Sequence, residues 1–326
     1  MSPRTRVRLL AAAAGLAAAG IAVGATLMGG DDEATPTAPV DRGPPALELG
    51  AGFREDAQAR ELQAAERQYD GGNATEARRR FDDLVARYPE SLEARVGAAV
   101  ASWPDGTVTR LRELAREHPD SALVRLHLGL ALYATGQDSA AESEWRGAKR
   151  HDPDTPSALR AEDLLHPDMA PGRPFFYADR PPPREVRGLS PLRQVEELHA
   201  RAREGGAREW IQYGIALQRV GRPASAQLAF EQALDEAPES LAARVAVGVG
   251  AFDKDNVAAA FSQLGPLTRS HPRSALLRFH LGLLLLWIRD VEDAETQLQR
   301  AVDAEPRGFY GREAHRLLSR LEDIRT

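Results

Sequence analysis

Residues 118–130 read HPDSALVRLHLGL, and residues 271–283 read HPRSALLRFHLGL. A second pair behaves the same way: YPESLEARVGAAV at 88–100 returns as APESLAARVAVGV at 237–249. Self-similarity over this length means that one helical unit was copied, and that the copies were then copied as a block. Repetition at a fixed period of a few tens of residues is the sequence mark of a repeat architecture.

The prolines give the period. Pro119 and Pro153 are 34 residues apart, as are Pro238 and Pro272, and Pro272 and Pro306. Each closes an amphipathic stretch, because proline lacks an N–H and disfavours helix in the residue before it. A second break falls inside each period, at Gly136-Gln137, Gly221-Arg222-Pro223 and Arg289-Asp290. Two helices of about a dozen residues per period is helix-turn-helix arithmetic.

At these positions the chain resembles the tetratricopeptide repeat family. In 207–240, Trp210 stands at the early large position, Tyr213-Gly214 at the Leu-Gly place, and Leu217 at the next core place. Gly221 makes the turn, Ala226 and Ala233 are the small residues of the second helix, Phe230 lies between them, and Pro238 ends the unit. In 122–155 the same places hold Leu128-Gly129, Leu132, Gly136, Ala141, Trp145, Ala148 and Pro153. In 275–308 they hold Leu281-Gly282, Leu285, Ala294, Leu298, Ala301 and Pro306, with Arg289 in place of the turn glycine. Residues 58–91, 92–121 and 241–274 match more loosely, and 92–121 is short, with Trp103-Pro104-Asp105-Gly106 at its turn. The packing logic is small against large: Ala141, Ala226 and Gly214 let helices approach, and Trp145, Trp210 and Phe230 fill the space beside them. No such unit buries its own apolar face, so each needs a neighbour.

The resulting expectation is an all-α protein, a TPR-like α-solenoid of about six helix-turn-helix units in two homologous halves, each with a capping helix. The first half is expected at 57–166 and the second at 191–326, joined by a Pro-rich linker at 167–190. Thr155-Pro156 begins the first cap, since Thr followed by Pro is a strong helix start. Ala161 and Leu164-Leu165 recur in the last helix as Ala314 and Leu317-Leu318. The linker, PGRPFFYADRPPPRE at its heart, reads as extended and polyproline-like. A further helix at about 191–204 leads into the second half.

Ahead of the repeats lies a different kind of sequence. Arg4, Arg6 and Arg8 (residues 1–8) precede an uncharged run at 9–30, which Asp31, Asp32 and Glu33 close. As a helix that run spans about 33 Å, close to the hydrocarbon thickness of a bilayer. Cations before it and acids after it predict a single-pass transmembrane helix with the N-terminus cytoplasmic and the body extracytoplasmic. The alternative is a secretory signal cleaved at Val23-Gly24-Ala25, which leaves a secreted protein. Residues 31–56 then read as a flexible tether, acidic and afterwards rich in Pro and Thr.

Composition narrows the chemistry. With 43% hydrophobic and 28% charged residues the body is a folded one, and a net charge of −6 gives no reason to expect nucleic acid. The absence of cysteine excludes disulfides, thiol catalysis and Cys-based zinc sites. No phosphate loop, Gly-x-Ser-x-Gly or His-Glu-x-x-His occurs. The paired histidines His118/His271 and His127/His280 are explained by duplication rather than by metal binding or catalysis. Once anchor, tether, repeats, caps and linker are assigned, no length remains for a catalytic domain. We therefore expect no enzyme, no catalytic or metal-binding residue and no cofactor.

The resemblance implies protein binding, in a groove lined by the first helices of successive units. The carboxylate clamp used by part of the family needs Lys and Asn, and this chain has only Lys149, Lys254, Asn73 and Asn256. The groove places look apolar instead: Leu123, Leu126, Leu130 and Tyr133 in one half, and Leu276, Phe279, Leu283, Leu286 and Trp287 in the other. Two readings stand. These faces pack against each other, the linker or a second copy, or they hold an apolar peptide. Phe175-Phe176-Tyr177 in the linker are three aromatics that water disfavours, and they are expected to dock on the solenoid and fix the angle between the halves. The functional expectation is a membrane-tethered, extracytoplasmic bacterial scaffold that holds a protein or peptide partner in the cell envelope. Alternatives are a secreted binding protein, an accessory factor of an envelope enzyme system, and a self-associating structural protein.

Overall fold

The computed structural model describes residues 42–325. These fall into two compact units, residues 42–165 and residues 166–325. Among the described residues the chain forms sixteen α-helices and one short 3-10 turn, without strands. It is an all-α helical-repeat solenoid.

The first unit opens with an irregular segment from Arg42 and a 3-10 turn at Ala51–Phe53. Three helix pairs follow: α1 (Ala57–Asp70) with α2 (Ala74–Arg87), α3 (Leu92–Val100) with α4 (Thr107–Glu117), and α5 (Ala122–Ala134) with α6 (Asp138–His151). Helix α7 (Pro156–Leu165) caps the unit. The second unit begins with another irregular segment, one helical turn α8 (Arg184–Arg187) and α9 (Pro191–Glu204). Its pairs are α10 (Ala207–Arg219) with α11 (Pro223–Glu236), α12 (Leu241–Gly250) with α13 (Ala258–Ser270), and α14 (Ala275–Trp287) with α15 (Val291–Ala304), capped by α16 (Phe309–Arg325).

Local chemistry sets these boundaries. The serine two residues after a unit-ending proline caps the next helix: Ser91, Ser121, Ser240 and Ser274 each accept a hydrogen bond from the backbone N–H three residues on, at 3.3 Å. A serine oxygen there satisfies a helix N–H that has no partner within the helix. In four of the six pairs the turn closes on a left-handed residue at the equivalent place. Gly72, Gly136 and Gly221 supply it with φ of 79°, 77° and 73°, and Arg289 takes the same conformation at 62°. A side chain in that region is strained. Arg289 holds it while its guanidinium donates to the carbonyls of Pro167 and Met169 at 3.1 and 3.2 Å.

Packing follows the small-against-large rule. A Cβ at Gly214 would strike the Phe230 ring, one at Gly129 would strike Trp145, and one at Gly282 would sit 2.8 Å from Leu298. The glycine on the first helix of a pair is thus the socket for the large residue on the second. Besides the contacts within pairs, first helices touch the first helix of the next pair: α1 with α3, α3 with α5, and α5 with α7. In the second unit α10 touches α12, α12 touches α14, and α14 touches α16. Each unit therefore presents one continuous face built from first helices.

Three expectations meet the structure differently. The membrane segment expected at 9–30 lies outside the described residues, and among the described residues no helix is long and apolar enough to cross a membrane. The tether expected to be free over 31–56 is described from Arg42 on, and there it is packed: Leu47, Leu49 and Ala51 are buried in the apolar core of the first unit. There Arg42 and Pro44 are exposed and Glu48 partly so, while Pro45 turns inward with the apolar side chains. The linker expected to be extended throughout contains the turn Arg184–Arg187, which Pro183 can precede because the first residues of a helix need no N–H partner.

Candidate functional site

The first-helix face of each unit is covered by that unit's own leading segment. Both segments, which we call straps, share the pattern Gly-x-Pro-x-apolar-x: Gly43-Pro44-Pro45-Ala46-Leu47-Glu48 and Gly172-Arg173-Pro174-Phe175-Phe176-Tyr177. In each, the proline and the apolar residue are buried and the residues between are less so. Burial alternating with a period of two belongs to an extended chain. The two glycines have φ of 80° and 70°, the left-handed region that favours glycine.

Duplicated positions hold the two straps. The backbone N–H of Arg42 donates to the carbonyl of Ala134 at 3.3 Å, and that of Ala170 donates to the carbonyl of Trp287 at 3.0 Å. Farther along, the N–H of Glu48 donates to Nε2 of His127 at 3.1 Å, and the N–H of Tyr177 donates to Nε2 of His280 at 3.0 Å. Ala134 and Trp287 are 153 residues apart, as are His127 and His280. At a third pair of matching positions on α1 and α10, Tyr69 donates to the carbonyl of Pro45 at 2.7 Å and Gln218 accepts from the N–H of Phe176 at 3.0 Å.

The geometry fixes the state of both histidines. Nδ1 of His127 lies 2.8 Å from the carbonyl of Leu123, and Nδ1 of His280 lies 2.7 Å from that of Leu276. A carbonyl only accepts, so Nδ1 carries the proton and Nε2 is left as an acceptor, which is what the strap N–H needs. Both rings are fully buried. Burial pushes each imidazole down to about 4, against a smaller opposing effect of the hydrogen bond to the helix carbonyl. They are neutral register pins. Among the described residues no cluster of three or more His, Asp or Glu forms that could hold a metal ion.

Further contacts differ between the units. In the first, Glu66 accepts from the N–H of Leu49 at 3.0 Å, and Gln63 donates to the carbonyl of Ala51 at 2.9 Å. Burial holds the Glu66 carboxyl above its ordinary range. Arg160 pairs with Glu48 at 2.8 Å, and Arg42 pairs with Asp138 while lying 4.0 Å from the Tyr133 ring centre. In the second, the buried Lys254 donates to the carbonyl of Ala170 at 2.7 Å, and Trp287 donates from Nε1 to that of Gly172 at 3.0 Å. Tyr310 donates to the carbonyl of Tyr177 at 3.1 Å. Phe176 stacks on His280 with ring centres 4.7 Å apart and lies 5.9 Å from Phe230; Tyr177 meets Phe279 edge to face at 5.8 Å.

The face places named from the sequence sit around these straps. Leu126 and Leu130 are buried and Leu123 and Tyr133 partly buried, in one apolar cluster with Leu47, Leu49 and Ala51. Phe279, Leu283, Leu286 and Trp287 are buried and Leu276 partly buried, in one cluster with Phe176 and Tyr177. Phe175 is partly buried beside the 1% exposed Phe176. Sequence reading missed the first strap altogether, and missed Tyr69 and Glu66 as its holders and Gln218, Lys254 and Tyr310 as holders of the second. The shared Gly-x-Pro pattern was the one signal available. It lay in stretches set aside as tether and linker.

What this arrangement does chemically is grip an extended chain. Most of the polar contacts go to strap backbone, which gives hold without demanding a sequence, while alternate side chains enter apolar pockets and give selectivity.

Two solved structures are similar to parts of this chain. The solved structure of YrrB, described as a TPR protein with an unusual peptide-binding site, is similar at 15% identity over 63% of this chain and 97% of that one, with a TM-score of 0.32. A tetratricopeptide repeat protein from Parabacteroides merdae is similar at 12% identity over 81% of this chain and 98% of its own, with a TM-score of 0.33. No curated protein matches the chain in sequence. The family model of the tetratricopeptide repeat matches residues 62–110, 108–156, 213–265 and 248–309, more than half of the chain. The chain belongs to the tetratricopeptide repeat family.

Proposed function

We propose that this protein is a non-enzymatic scaffold that holds or assembles other proteins of a cell envelope, anchored by residues 9–30 with its repeat units on the extracytoplasmic side. One observation carries the scaffold reading: in both units the first-helix face holds an extended polypeptide segment, chiefly by its backbone. A surface built for that task serves another protein's extended segment by the same contacts. The envelope location rests on the charge asymmetry around the uncharged run at 9–30.

The test is cross-linking of the full chain in its own membranes, followed by identification of what is captured. Partners enriched over a chain whose two faces are blocked support the reading. A chain that captures the same set with Phe279 and Leu126 changed to aspartate, while remaining folded, refutes a role for these faces. Fractionation and mass measurement of the mature N-terminus decide the anchor: a chain starting near Thr26 and free of membrane would select the secreted form instead.

A further inference from the structure

The two straps occupy equivalent places although the chain leaves them by unlike routes. From Glu48 the chain reaches α1 at Ala57 through a single 3-10 turn. From Tyr177 it reaches α10 at Ala207 only after α8 and α9. A segment placed by its connection would shift when the connection changes. From the glycine onward these do not: the glycine, the buried proline, the buried apolar side chain and the N–H on the histidine keep the same order and spacing in both, and only ahead of the glycine does the equivalent bond move by one residue, from Arg42 to Ala170. The face itself, therefore, selects the register. Each strap behaves as a ligand that happens to be covalently attached.

The contacts spell out what is read. The first position needs a left-handed backbone, hence glycine. The third is a buried proline, whose fixed φ favours the extended form at little entropic cost. The fifth is a large apolar residue, Leu47 or Phe176. The sixth must donate an N–H to a neutral imidazole, which excludes proline there.

We propose that the first-helix face is a specific receptor for extended Gly-x-Pro-x-apolar-x segments, and that a partner protein carrying this pattern in a tail or linker takes the face of the first unit by displacing residues 42–53. This rests on the scaffold reading and names its ligand class. The first unit is the exchangeable one. Its strap buries Pro45, Leu47, Leu49 and Ala51 but no aromatic ring fully, leaves Ala46 exposed, and is tied at its leading end by Arg42 to the exposed Asp138, with Tyr69, Glu66 and Gln63 bonding its backbone farther along. Exposed ion pairs contribute little. The second strap wedges Phe176 between Phe230 and His280, and its carbonyls are held by Lys254, Trp287 and Tyr310.

The experiment uses the full chain carrying Leu47→Asp with Leu49→Asp, which expels the strap, and a fluorescent peptide of the sequence at 42–53. A strap in cis competes at millimolar effective concentration, so the expelled variant binds the peptide at least about tenfold more tightly than the wild type. Peptides with alanine at the glycine and proline positions, or with proline at the sixth, lose binding by about the same factor. Glu48→Pro, which removes the pinned N–H without placing charge in the core, serves in parallel should the aspartates disturb the helices. Absence of peptide binding by a variant with native helix content overturns the proposal. Display of random dodecapeptides on the expelled variant separates it from the broader reading. Enrichment of Gly-x-Pro-x-apolar supports the proposal. Enrichment of an unrelated extended pattern overturns it and leaves the scaffold standing. Enrichment of nothing overturns both.

Discussion

Acid should release the straps by a calculable amount. His127 and His280 titrate near 4 in the fold, against an ordinary value of 6.5 in an unfolded chain. Near neutral pH both rings are neutral in either state, and the full stability is present. As pH falls below 6.5, only the unfolded chain takes up protons at these sites, so stability is lost progressively until the folded rings titrate near 4. At pH 4.5 the linkage amounts to about 2–3 kcal/mol per histidine, one in each unit. Other groups act in the same range. Burial raises the Glu66 carboxyl, which stabilises the fold as pH falls and works against His127 in the first unit. The rings of Phe176, Phe279 and Tyr310 surround His280, so the second unit gives the cleaner reading. The assay is urea unfolding followed by circular dichroism at a series of pH values, for the wild type and for His127→Gln with His280→Gln. Glutamine keeps an acceptor and does not titrate, and the difference between the two proteins cancels the carboxylates. Between pH 7.5 and 4.5 the wild type should lose about 2–3 kcal/mol more per unit than the variant. Parallel pH curves for the two proteins would refute the buried, neutral pins.

Two packing predictions follow. Phe176→Ala removes a 1% exposed ring that touches Phe230 and His280, and should cost about 3–5 kcal/mol in denaturant unfolding, whereas Phe175→Ala, on a partly buried ring, should cost clearly less. Equal losses would show that the alternation along the strap does not set its hold. Gly214→Ala drives a Cβ into the Phe230 ring; despite alanine's better helix propensity it should lower stability by ~1–3 kcal/mol, and adding Phe230→Leu should recover part of that loss. A stabilised single variant in thermal unfolding would contradict the socket reading.

The repeat units were legible because everything that makes them is local. A proline every 34 residues, a turn glycine, and small and large residues at helical spacing act within about one turn or one neighbouring helix. Even the paired cap residues Ala161/Ala314 marked the last helix of each half. The linker aromatics were legible as a surface that water disfavours, though not which side chains would receive them.

The straps belong to the tertiary structure. Their backbone hydrogen bonds go to partners such as His127, 79 residues from Glu48, and His280, 103 residues from Tyr177. An N–H looks the same in every residue but proline, so no local pattern announces which distant acceptor it will meet. The histidines showed the same limit. Their duplication could be read in the chain, but their role required the fold that buries them, settles their tautomer and brings a strap backbone N–H to each accepting nitrogen.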